Sequence, residues 1–212
     1  MDIDFSRHPV ADQDFQERPT SGRTERRSGK RTKMLFKVGI VESAQSRSFC
    51  LIKEISNEGM RIVHSNELLP GDEVSVTLED MTVLKGRIAW TKGRTSGIRL
   101  DEAIDCDRLL LQLSLERRSS FARALRLPID IPVTVLSVNG RKEMIVRDIS
   151  QRGLKVEHDG SFREGMLVHV ILSDGRERPA VARWSKGYFA GLLLLNPFHP
   201  HELLSLKAPQ KD

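Results

Sequence analysis

The stretch DISQRGL at residues 148–154 has a near copy, EISNEGM, at residues 54–60, which sets an offset of 94. The same offset pairs Ser56 with Ser150, Gly59 with Gly153 and Gly71 with Gly165. It continues through Val74 and Val168, Val76 and Val170, Trp90 and Trp184, and Gly97 and Gly191. One constant offset held this long marks an internal repeat. Upstream, Arg31 matches Arg126 at offset 95, which requires a single gap. The 212 residues are therefore two copies of one unit, each of about 90 residues, a common size for a small domain.

Each copy reads as short strands. In the second, IPVTVL at 131–136, EMIVR at 143–147, LKVE at 154–157, LVHVIL at 167–172 and PAVARW at 179–184 alternate apolar and polar residues. Asn139-Gly140, Asp159-Gly160 and Asp174-Gly175 separate them and are strong turn signals. The first copy repeats the pattern more loosely over 34–100. Five or six short strands with regular turns predict a mainly β chain of two tandem small barrels. After the first, residues 101–118 carry Ile104, Leu111 and Leu115 at helical spacing. After the second, HELLSL at 201–206 follows Pro200. Each barrel is thus expected to be followed by a helix. The expected divisions are a flexible tail at 1–22, a first domain at 23–117 and a second at 118–212.

Composition narrows the function. Cys50 and Cys106 stand far apart, which suits neither a disulfide framework nor a metal knuckle. No apolar run reaches the length of a bilayer span, and the first 20 residues lack the apolar core of a secretory signal. The expected class is a soluble cytoplasmic protein. The net charge of +5 is local: residues 22–33, GRTERRSGKRTK, hold six bases and one acid, whereas 1–21 are acidic. A basic arm of this kind can clamp an anion. With only 5% aromatic residues and no basic face, a nucleic-acid partner is not expected. His199 and His201 have no completing ligands, so no metal is expected. No nucleophile-elbow, zinc-protease or phosphate-loop motif occurs, so no catalysis is expected. Trp90 and Trp184, at equivalent strand ends, are read as core or barrel-lid aromatics.

Two elements carry chemistry. In 148–153, Asp148 and Ser150 are two apart, so on a strand they share a face, and Gly153 permits a tight turn or close approach. In 27–31, Arg27 and Arg31 form an R-x-x-x-R pair ahead of the first strand. Guanidinium groups bind phosphate bidentately and reach guanine O6 and N7.

In this order, ahead of a small barrel, the two elements resemble the PilZ domain family of bacterial cyclic di-GMP receptors. RLPIDIPV at 126–133 is similar to that family's lead into its first strand, and the tryptophan–turn–glycine tail is similar too. The resemblance implies no cofactor, a cyclic di-GMP ligand, and ligand contacts from Arg27, Arg31, Glu54, Ser56 and Gly59 in the first copy. In the second copy it implies Arg126, Asp148, Ser150 and Gly153. Each copy departs once. Glu54 stands where the family has Asp or Asn, keeping the carboxylate but lengthening its reach. Ala122 stands at the second copy's first arginine place, with Arg118 and Arg123 out of register. The implied function is a non-enzymatic receptor whose arginine arm orders on ligand and signals to an unidentified protein partner. The alternative is a degenerate adaptor that binds no nucleotide and acts through protein contacts. Which copy binds stays open.

Overall fold

A computed structural model describes residues 32–79, 82–116 and 124–206. Arg27, Arg31 and the rest of the arm up to residue 31 lie outside the described residues, as do Arg118, Ala122, Arg123 and the expected tail. The first repeat forms β1 (Lys33–Glu42), β2 (Arg47–Ser56), β3 (Gly59–His64), β4 (Glu73–Thr77), β5 (Val83–Lys92) and β6 (Thr95–Leu100). They pair antiparallel in the order β1-β2-β3-β6-β5-β4, and β4 closes back on β1. The second repeat forms β7 (Leu127–Ser137), β8 (Gly140–Ile149), β9 (Gly153–Glu157), β10 (Leu167–Ile171), β11 (Glu177–Lys186) and β12 (Phe189–Leu194). Its closed order, β7-β8-β9-β12-β11-β10, repeats that of the first. Closure removes the unpaired edges that an open sheet of this size would expose.

The strands follow the alternation in the sequence. Val168 and Val170 of β10 are buried while Leu167 and His169 are exposed. Gly140, Gly160 and Gly175 sit at φ of 93°, 86° and 82°, where L residues are strained, so the three expected turns need their glycines. β7 begins at Leu127, four residues earlier than the alternation suggested. It tolerates Pro128 because its pairing with β8 shifts between Pro128 and Ile131, a place where the missing N–H is not needed.

Register shifts also decide which side chains face outward. The pairing of β8 with β9 slips between Val146 and Asp148, so buried Val146 and Ile149 flank two successive half-exposed residues, Arg147 and Asp148. The same slip between Ile52 and Glu54 leaves Lys53 and Glu54 outside the first barrel.

α1 (Cys106–Glu116) follows the first barrel and α2 (Pro200–Ser205) follows the second. The apolar stripe expected for α1 is corrected. Cys106, Leu109 and Leu113 enter the first core, whereas Leu111 and Leu115 are 61% and 58% exposed. Cys106, Leu109 and Leu113 are spaced three and four apart, and that tighter stripe matches one helical face better than the wider spacing does. α2 begins at Pro200, whose lacking N–H suits a first helical turn.

α2 also joins the two barrels. Ile40, Phe49 and Leu51, on the outside of the first barrel, share one buried apolar cluster with Leu203, Leu204 and the second core, and Val63 packs against it. Arg94 donates from Nε to the His64 carbonyl at 3.2 Å and from Nη2 to the Leu204 carbonyl at 3.4 Å. The repeat shows why this face is covered only once. Phe49 and Val63 correspond to Glu143 and Glu157, and Thr134, which pairs with Glu143, stands where Ile40 pairs with Phe49. At Ile40, Phe49 and Val63 the first copy is apolar where the second has Thr134, Glu143 and Glu157, whereas Leu51 keeps an apolar counterpart in Ile145.

Candidate functional site

In antiparallel strands, directly paired residues project to the same face. Glu54 on β2 pairs with Arg61 on β3, Arg61 with Gly97 on β6, and Gly97 with Trp90 on β5. Four strands thus set an acid, a cation, a gap and an aromatic ring in one transverse row outside the first barrel. The second barrel repeats the row with Asp148, Lys155, Gly191 and Trp184.

The tryptophans are not core or lid residues as expected. Trp90 is 44% exposed and Trp184 42%, and each ring lies against the glycine beside it. A Cβ on Gly97 would fall 2.2 Å from Trp90 Nε1, and one on Gly191 2.0 Å from Trp184 Nε1. The glycines make the seat on which each ring rests.

The serine and glycine of each motif have defined places. Ser150 lies just past β8 and is buried; its hydroxyl donates to the Gly153 carbonyl at 3.2 Å, and its N–H to the same oxygen at 2.8 Å. Ser56 donates likewise to the Gly59 carbonyl at 3.1 Å. The hydroxyls close the turns and keep their lone pairs. Neither glycine has positive φ. Crowding requires them instead, because a Cβ on Gly153 would lie 2.9 Å from the Leu192 carbonyl oxygen, and one on Gly59 2.6 Å from that of Ile98.

In the second barrel Arg126 Nη1 donates to Asp148 Oδ1 at 2.6 Å, and Arg126 Nη2 lies 4.0 Å from where a Cβ on Gly153 would stand. Arg126, Asp148, Ser150 and Gly153, predicted together, are together. Lys155 is drawn aside, its Nζ 4.3 Å from the centre of the Phe189 ring, a favourable cation–π distance. In the first barrel Arg61 Nη2 donates to Glu54 Oε1. A hollow of about 340 Å³ opens there, lined by Thr32, Glu54, Ser56, Gly59, Arg61, Trp90, Gly97 and Arg99 among others. Thr32, next in sequence to Arg31, forms one side of it. Trp90, Trp184 and Arg99 were missed as site residues because only the non-consecutive pairings of β3 with β6 and β9 with β12 bring them to the motif. Arg61 and Lys155, on the adjoining hairpin strands, were missed because the register slip that sets them opposite the acids does not show in the sequence. The constant offset of Trp90 and Gly97 from Trp184 and Gly191 was the available signal.

The arrangement offers a carboxylate, guanidinium groups and a flat aromatic ring on an open face. That combination suits a planar ligand with N–H donors and an anionic portion. His199 and His201 are not joined by other ligands; among the described residues no group of side chains could hold a metal ion. Among the same residues no helix is long and apolar enough to cross a membrane.

The PilZ domain profile matches residues 25–117 and, separately, residues 116–188. The chain belongs to the PilZ domain family. It is a tandem PilZ protein, with one closed barrel in each repeat. No curated protein matches the sequence. Among solved structures it is similar to PlzA of Borreliella burgdorferi in complex with c-di-GMP, at 11% identity and a TM-score of 0.37, covering 79% of this chain and 85% of that one. It is similar to the Bacillus subtilis inhibitor of motility MotI at 16% identity and 0.31, covering 81% and 94%. YcgR of Escherichia coli, in complex with c-di-GMP, gives 10% identity and 0.28, covering 78% and 80%. The family assignment rests on the two matched spans and not on these likenesses.

Proposed function

We propose that this tandem PilZ protein is a non-enzymatic receptor for cyclic di-GMP. The observation that carries the reading is the shared outer-face row. In each barrel an acid, a turn-closing serine, a glycine and a tryptophan lie together, and an arginine already sits on the acid. A carboxylate accepts the paired N1–H and N2–H₂ donors of guanine, and guanidinium groups meet the phosphodiester charges. PlzA and YcgR, of similar fold, bind this ligand. On this reading Arg27 and Arg31 serve the first barrel, together with Glu54, Ser56 and Gly59. Arg126, Asp148, Ser150 and Gly153 serve the second. The segment 1–22 is a tail, 23–117 and 118–212 are the two domains, and the protein works in the cytoplasm. Ordering of the arm by a dianion would present a new surface to a protein partner, a two-state switch.

Calorimetric titration with cyclic di-GMP, with GTP as control, tests the reading. Arg31→Ala should weaken binding about tenfold or more, the loss of one charge-assisted contact, and Asp148→Ala should weaken it less. A silent Arg31→Ala with a damaging Asp148→Ala moves the main site to the second barrel. No heat with cyclic di-GMP leaves the adaptor reading.

A further inference from the structure

We infer that Arg61 is a third anion-contacting arginine of the first barrel, one that lies outside the R-x-x-x-R pair. The inference rests on the receptor reading above and concerns which side chains meet the ligand's phosphodiester. Arg61 is held by β3 directly between Glu54 and Gly97, on the wall of the hollow that also contains Ser56, Trp90 and Arg99. Its contact with Glu54 is one-pronged, from Nη2 to Oε1. Its Nε is buried and has no hydrogen-bond partner among the described residues. Arginine–carboxylate pairs frequently use two parallel N–H donors. Here one donor of the fork is spent and another is enclosed with nothing to accept it, and a buried guanidinium donor of that kind calls for a partner.

The second barrel shows the other arrangement of the same row. There the arm-side Arg126 holds the acid, and Lys155, the counterpart of Arg61, is drawn off to Phe189. In the first barrel Arg61 holds the acid, as the arm-side Arg126 holds it in the second. When a cyclic dinucleotide brings its guanine edge to Glu54, Arg61 gives up the carboxylate and turns its Nε–Nη edge to a phosphate oxygen. The same exchange explains how Glu54, longer by one methylene than the family's residue, is accommodated. The acid and its cation separate as the ligand enters between them.

Trp90 makes the first barrel separately readable. In the 212-residue chain carrying Trp184→Phe, Trp90 is the remaining tryptophan, and its emission reports the hollow it lines. Titration with cyclic di-GMP should change that emission. Arg61→Met in this background should weaken the transition about tenfold or more. Arg61→Lys, which keeps the charge and loses the fork, should fall between the two. Thermal melts of both variants check that the barrel is intact. Binding by Arg61→Met as tight as, or tighter than, that of the parent would overturn the inference, since Arg61 would then be a bystander or a competitor for Glu54. If the parent shows neither an emission change nor heat, the receptor reading of the first barrel fails and the inference falls with it.

Discussion

Gly97→Ala probes the seat on which the first tryptophan rests. The new Cβ would lie 2.2 Å from Trp90 Nε1, 2.4 Å from Cε2 and 2.9 Å from Cδ1. All are far inside contact distance, and a rigid indole cannot bend away as a flexible chain end could. The backbone at Gly97 does not have positive φ, so the whole cost falls on the ring. Trp90 is 44% exposed, so a little over half of its surface is covered. With roughly 200 Å² available to a buried tryptophan, that cover contributes about 3 kcal/mol at 25 cal/mol per Å². Lifting the ring forfeits part of it, for a loss of about 1–3 kcal/mol. For a chain of this size, a loss of about 2 kcal/mol lowers the melting temperature by about 4–8 °C. The assay is a thermal melt together with Trp90 emission in the Trp184→Phe background, where the ring should move into water and its emission shift to the red. A melt within about 1 °C of the parent, with unchanged emission, would refute the reasoning, since overpacking of this kind costs about 1–3 kcal/mol. Gly191→Ala against Trp184 is the independent repeat of the experiment.

Three further outcomes are expected. Phe49→Glu places in the first barrel the residue type that the second carries at 143; loss of a buried aromatic at the α2 contact costs about 3–5 kcal/mol, and small-angle scattering should show the barrels separating, against an unchanged profile if Phe49 does not hold them. His64 is 1% exposed, donates through Nδ1 to the Asn66 carbonyl at 2.9 Å and accepts at Nε2 from Ser96 at 2.8 Å. Burial, aided by Arg94, holds its pKa below the usual 6.5. The unfolded chain therefore takes up the proton first. His64 contributes stability above pH 6.5 that is lost as pH falls toward its folded value, by up to about 1.4 kcal/mol per pH unit. Denaturant titrations at several pH values should show this slope in the parent and a shallower one in His64→Asn; equal slopes would refute it. Burial pushes the Cys50 thiol up to about 12 and raises that of Cys106, so neither should react with a disulfide reagent at pH 8 until denaturant is added. Rapid labelling of the native protein would contradict the packing.

Much was legible in the residues alone. The offset between DISQRGL and EISNEGM showed the duplication, alternation showed the strands, and the Asn-Gly and Asp-Gly pairs marked turns that the fold uses. These are local properties: side-chain parity along a strand and the backbone freedom of glycine act within a few residues. Arg126 and Asp148 could also be matched, because a family motif names both.

What depends on non-consecutive strands was decided only in three dimensions. Trp90 and Gly97, on the β5–β6 hairpin, come beside Glu54 and Arg61, on the β2–β3 hairpin, because β6 pairs with β3. Single-residue slips at 53 and 147 place the acids outside, and parity counted along one strand cannot register such a slip. The buried face of α1 was misread for a related reason, since its leucines offer two stripes and the barrel wall selects one. The docking of α2 on Phe49 and Leu51 likewise depends on where the second barrel's end comes to lie. Its trace in the sequence, apolar residues in one copy facing glutamates in the other, acquires meaning once the covered face is known. Local chemistry is written residue by residue, whereas neighbours across a closed sheet are set by the pairing of the whole.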